Sequence, residues 1–135
     1  MAIQLSPQVR NARLDAIEVS IGPSPILKVF SGTMPAATTN ADTGTVLSTV
    51  TLPSDWMAAA SAGSKALAGN WQDTSADATG TAGYFRIYDS AVTACHLQGT
   101  MTATGGGGDM TVTDIAFNAG QDFRITAFTL QDANG

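Results

Sequence analysis

The apolar positions of the chain change period once, near residue 25. Before it, Val9, Leu14, Ile17 and Ile21 recur at roughly helical spacing, with Arg10, Arg13, Asp15 and Glu18 filling much of the opposite side. Ser6 supplies an N-cap oxygen, Pro7 suits the first helical position, and Gly22-Pro23 stops the helix. The pattern predicts one helix over 7–21. After Pro25 the period shortens to that of strands: 26–30, 45–52, 65–72, 84–88, 94–102, 109–117 and 122–130 each read as extended. In Tyr84-Phe85-Arg86-Ile87-Tyr88, alternation places Phe85 and Ile87 on one face and Tyr84, Arg86 and Tyr88 on the other. In 122–130 the apolar register shifts after Ala127, which predicts a bulge or bend. Residues 56–62, Trp56-Met57-Ala58-Ala59-Ala60-Ser61-Ala62, fit either a short helical turn or a bent strand.

About eight short strands with turn signals every 8–12 residues predict a mainly β chain. The expected form is an antiparallel β-sandwich or jelly-roll-like single domain with a short N-terminal helix. Composition divides it into a helix and linker over 1–25, expected to serve docking or oligomerisation, and a sandwich over 26–135. The stretch Gly105-Gly106-Gly107-Gly108 lies between two Thr- and Met-rich segments and predicts a hairpin tip or a close-packed crossing of bare backbone. It is not a phosphate loop, because Asp109-Met110-Thr111-Val112 follows with neither a lysine nor a helix signal.

The chain has 135 residues, which suits one domain, and only 13% are charged, against about 25% in average proteins. Thr, Ser, Ala and Gly take the place of the missing charges, so the surface costs little to desolvate under a partner. The net charge is −5 and the six basic residues are scattered, which disfavours nucleic acid and anionic membranes as partners. No apolar run reaches the ~18 residues of a membrane-spanning helix, and a signal-peptide pattern is not apparent at the N-terminus. A single cysteine, Cys95, excludes an internal disulfide and thiolate metal clusters.

Reactive groupings are few. Cys95 and His96 are neighbours, and neighbours in a strand point to opposite faces, so they cannot form a dyad. Asp73, Asp77, Asp109 and Asp114 offer oxygen ligands without the dense spacing of a calcium loop, and read as turn-capping residues. Trp56, Trp71, Tyr84 and Tyr88 would serve a glycan-binding module if exposed; the plainer reading makes them core or interface anchors. With one His, one Glu and dispersed aspartates, there is no recognisable acid–base pair, and the expectation is a non-enzyme without cofactor or metal.

Four segments, in order along the chain, resemble a family of small structural proteins of tailed bacteriophages and prophages: Val9 to Glu18 (VRNARLDAIE), Leu52 to Lys65 (LPSDWMAAASAGSK), Asp77 to Ile87 (DATGTAGYFRI), and Cys95-His96-Leu97-Gln98-Gly99 running into the glycines. The resemblance implies a virion component assembled in the bacterial host cytoplasm. The leading expectation is a capsid decoration (cement) protein bound to the major capsid protein, or to other virion proteins, and to copies of itself as a homotrimer; three copies round a local three-fold axis let one surface serve repeatedly. A neck, tail or fibre-associated protein is the alternative within the particle, and a receptor- or glycan-binding module the alternative outside that class. The residues expected to meet partners are Val9, Leu14, Ile17, Ile21, Trp56, Gly106 and Gly107.

Overall fold

The computed structural model describes residues 3–132. Its helix, α1 (Pro7–Ile21), has the predicted bounds, and local chemistry sets both ends. The Ser6 hydroxyl accepts the Val9 N–H at 3.2 Å, and Pro7 opens the first turn. Gly22, at φ 91°, returns its N–H to the Glu18 carbonyl at 2.9 Å.

The rest is β structure, as expected. A central sheet runs in the order β2 (Val46–Thr51), β1 (Ile26–Ser31), β5 (Gly80–Tyr88), β6 (Cys95–Ala103) and β7 (Met110–Val112), with β8 (Ala116–Phe117) pairing the start of β5. Two further ladders, β3 (Ser64–Ala66) with β10 (Thr129–Gln131) and β4 (Trp71–Asp73) with β9 (Phe123–Ile125), pack against its inner face. Between the layers runs a chain of aromatic rings. Trp56 meets Trp71 at 6.1 Å between centroids, Trp71 meets Phe128 at 5.8 Å, and Phe128 meets Phe85 edge-on at 5.5 Å.

The alternation predicted in β5 holds. Phe85 and Ile87 join the inner core, while Tyr84 and Tyr88 turn outward into a small second cluster with Phe30, whose ring stacks on Tyr84 at 4.8 Å.

Three predicted strands are each two pieces. The expected strand 65–72 divides into β3 and β4, because Gly69 takes φ 74° and the Trp71 indole N–H donates to the carbonyls of Trp56 and Ala68. The expected strand 109–117 divides into β7 and β8, where Asp114 accepts the Ala116 N–H at 2.9 Å. The expected strand 122–130 divides into β9 and β10 around 126–128, where the register change was predicted, and Phe128 turns into the core. Residues 56–62 follow the bent-strand alternative. Met57 bridges Leu67 and Ser61 bridges Ser64, closed by Ala62 (φ 52°) and Gly63 (φ 74°), a left-handed pair that suits a two-residue hairpin.

The glycine run does not form a hairpin tip. β6 and β7 are parallel, Met101 beside Met110 and Ala103 beside Val112. The chain leaves β6, curls back through 104–109 and restarts alongside itself, in far fewer residues than a parallel connection ordinarily needs. Asp109 ends the curl by accepting the Thr100 N–H and hydroxyl, at 2.9 and 3.0 Å. Gly105 (φ 90°) and Gly107 (φ 81°) supply left-handed turns. Gly106 and Gly108 supply space: a Cβ on either would come within 2.8 Å of the Thr102 hydroxyl, which accepts the Gly108 N–H. Replacing Gly107 by alanine is expected to lower stability by about 1–2 kcal/mol, the cost of one left-handed non-glycine residue, read as a shift of the urea unfolding midpoint; an unchanged midpoint would mean that the curl is slack.

Candidate functional site

Two buried cations organise the surface features that a partner or ligand would meet. The first is Lys65 in β3, whose side chain is 1% exposed. Its ammonium donates to Asp15 Oδ1 at 2.7 Å, Glu18 Oε2 at 2.7 Å and the Ala58 carbonyl at 2.9 Å, so each of its three protons has an acceptor. Asp15 and Glu18 stand three residues apart on one side of α1 and close on the same point. The helix makes further polar ties to the hairpin and to the last described residue: Asp15 also accepts the Ala60 N–H, Asn11 accepts the Gly63 N–H, and Arg13 pairs with Asp132 at 3.2 Å. At its C-terminal end the Trp56 indole N–H donates to the Gly22 carbonyl at 3.1 Å.

The hydrogen bond from Lys65, and then the one from the Ala60 N–H, hold the Asp15 carboxyl below its ordinary value. Burial works against the Lys65 ammonium, but its bonds to Asp15 and Glu18 outweigh that and raise it above the ordinary lysine value. The signs follow. The Asp15 contribution is present above the usual carboxylate range and is lost as pH falls through its lowered value; that of Lys65 is lost only as pH rises through its raised one.

The second cation is Arg86 in β5, 2% exposed, on the outer face of the central sheet. The connection 32–45 lies over it. Arg86 donates to Asp42 Oδ1 (2.7 Å), to the carbonyls of Asn40 (2.9 Å) and Ala37 (3.1 Å) and to Gln98 (3.0 Å). Tyr88 donates to the same Asp42 oxygen, and Tyr84 to the Thr43 carbonyl at 2.6 Å. Burial and then the Asp42 bond push the Tyr88 hydroxyl well above an ordinary phenol, so it stays a donor. Between this loop and the turn 89–94 lies an open cleft of about 500 Å³ that Arg86, Asp42 and Cys95 help to line. Three of the four Arg86 bonds go to the loop, and the fourth goes to Gln98 of β6, whose amide in turn donates to the Pro35 carbonyl, so this side of the cleft is a scaffold for 32–45.

The residues expected to meet partners separate into two groups. Leu14, Ile21 and Trp56 are buried inside the chain, and half-buried Ile17 packs on the core, so these side chains hold α1 to the body and do not present a surface. Val9 does not belong to their stripe; it is 46% exposed, on the other side of the helix. Gly106 and Gly107 are exposed at the curl. The helix expected to act as a separate docking unit over 1–25 is bound into the body through Lys65, Trp56 and Asp132.

Cys95 and His96 diverge as expected. The thiol packs against the Phe30, Tyr84 and Tyr88 cluster, where burial raises its pKa, and His96 faces the α1 side. Each aspartate weighed as a calcium ligand caps backbone or hydroxyl groups: Asp73 takes Ser48, Thr49 and Ser75, Asp77 takes Thr49, Asp109 takes Thr100, and Asp114 takes Ala116. Among the described residues, no group of three His, Cys, Asp or Glu is placed to hold a metal ion, and no helix is long and apolar enough to cross a membrane. The aromatic platforms a glycan module requires are enclosed: Trp56, Trp71 and Tyr84 are 0% exposed and Tyr88 5%. Comparison with protein-family models, with curated proteins and with solved structures finds no match.

The two cation anchors were missed because polar residues in a strand read as outward-facing. The available signals were Asp15 and Glu18 at a spacing of three, and an arginine flanked by tyrosines at i±2. Lys65→Ala is expected to destabilise the fold by roughly 3 kcal/mol, the scale for breaking a buried ion pair from one side. The same change should also remove part of the wild type's loss of stability on acidification, measured by urea unfolding from neutral pH to pH values below the carboxylate range. Arg86→Ala is expected to free 35–43, seen as faster amide exchange there with the core strands unchanged.

Proposed function

We propose that this protein is a structural component of a tailed-phage virion, most directly a decoration protein that binds the outer surface of the capsid. The four-segment resemblance points to that class. The observation that carries the reading is the direction in which the charges are used. Lys65, Arg86, Arg13, Asp15, Glu18, Asp42, Asp73, Asp77, Asp109 and Asp132 all bond within the chain. Much of what is left to face outward is neutral: Thr, Ser, Ala, Gly and backbone. Covering such a surface strips water from few ions, so a shell protein binds it without the desolvation penalty of charged faces. Rigidity comes from the same bonds, because the groups that tie down α1 and the 32–45 connection are already ordered before any partner arrives. The function is therefore one of shape and contact area, with no covalent step.

In particles purified from the host that encodes the chain, quantitative mass spectrometry against the major capsid protein should count hundreds of copies. Twelve or fewer copies would move the protein to the neck or tail, and its absence from particles would overturn the virion reading altogether.

A further inference from the structure

Proteins close their sheet edges against stray strands, and the central sheet of this molecule does so on both sides. On β2, the Thr49 N–H goes to Asp73 and the Leu47 carbonyl takes the Asp77 N–H at 2.8 Å. On the far side of β6, β7 pairs with 101–103 and Asp109 takes the Thr100 N–H. The second layer is different. There β3 lies between β10 and the segment around Ala58, whose N–H reaches the Ala66 carbonyl at 2.8 Å, so β10 is an edge strand. The Phe128 carbonyl accepts the Leu67 N–H and the Asp132 N–H reaches the Gly63 carbonyl, both at 3.0 Å, which turns residues 128, 130 and 132 toward β3. Thr129 and Gln131, both exposed, therefore aim their N–H and carbonyl groups outward.

That open edge borders a slot of about 240 Å³, with β5 and β6 on one side and β10 on the other. Phe85, Leu97, Phe128 and Leu130 make its lining apolar, and Asp109 adds a carboxylate. Gly99 lets this wall form, because a Cβ there would stand 2.8 Å from the Phe85 ring and 2.9 Å from the Asp109 Cβ. Asp109 Oδ2 accepts both Thr100 bonds, which leaves Oδ1 for a donor from outside.

We propose that this slot receives an extended arm of a partner protein, which adds to β10 as a further antiparallel strand. Residues of the arm opposite Thr129 and Gln131 exchange both pairs of backbone groups with them. The residue between, opposite Leu130, then points its side chain into the slot, which has room for one large apolar group. Two positions to either side the arm faces the slot again, and there a Lys or Arg meets Asp109. The net charge of −5 favours a basic arm as well. A second copy of this chain does not meet these terms, because Thr129-Leu130-Gln131 carries no basic residue and a β10–β10 pair leaves Asp109 unmet. The slot stands apart from the virion reading, since a peptide in solution tests it without particles.

The probe is the capped peptide Thr-Lys-Thr-Leu-Thr-Lys-Thr, whose symmetric sequence presents Leu and Lys the same way in either direction. At about ten times its Kd, the amides of Thr129 and Gln131 should exchange about tenfold more slowly by NMR. Aspartate in place of the peptide's leucine, or N-methylation of the threonines on either side of it, should abolish that protection. Asp109→Asn, which keeps an acceptor for Thr100, should weaken binding about threefold, and less at high salt. Four results would overturn the proposal: no protection at Thr129 and Gln131, equal binding of the N-methylated peptide, an affinity indifferent to Asp109→Asn, or protection of the same amides by raising the concentration of the chain alone, which would make the occupant a second copy.

Discussion

An ammonium group enclosed by protein is stable only if every proton it carries finds an acceptor, because the idealised cost of taking an ion out of water far exceeds any single contact. Lys65 meets that condition with two carboxylates from α1 and one carbonyl from the 56–63 hairpin. Much of the molecule follows from it. The helix has to lie where Asp15 and Glu18 reach the same point, the hairpin has to present Ala58 there, and Leu14 and Ile21 are thereby set against the body. The change in composition at residue 25 is real, but it is not a seam in the packing. A helix whose carboxylates neutralise a lysine in the next layer is part of the core's charge balance, and the strand that carries the lysine could not stay buried without it.

Arg86 repeats the device on the opposite problem. A long connection rich in Thr, Asn, Asp and Gly buries too little apolar surface to order itself. Arg86 gathers two of its carbonyls and Asp42, with Tyr84 and Tyr88 adding bonds from the same sheet face. Lys28 completes the face, its ammonium 5.3 Å from the Tyr88 ring centre. Both anchors bury a cation and satisfy it within the chain, while Asp55, Asp114, Asp122 and Arg124 stay exposed.

Features fixed by neighbouring residues were legible in the sequence, and features fixed by distant ones were not. The ends of α1 depend on Ser6, Pro7 and Gly22, and the helix has the predicted bounds. The long alternations of β1, β2, β5 and β6 survive because each strand lies between partners in one sheet or beside one. The breaks at 67–70 and 126–128 come from Trp71 and Phe128 turning into a core built by other segments, which no local pattern shows. Four consecutive glycines permit both a hairpin and a curl; Thr102 and Asp109 decide between them. Val9 was grouped with Leu14 by apolarity, yet five residues at 100° each place the two about 140° apart round the helix. Buried Lys65 and Arg86 lay outside any rule that sorts polar residues to the surface.

The bond between Arg10 and the carbonyl of Asp132, 122 residues away, with the Arg13 ion pair beside it, bears on the order in which the molecule comes into being. During synthesis α1 is made before the strands it packs against, yet a helix of 15 residues is marginal in water on its own. Its acceptor at Asp132 follows 122 residues after Arg10. The helix is therefore made well before it is clasped, and the contact cannot close until β10 and Asp132 have been added.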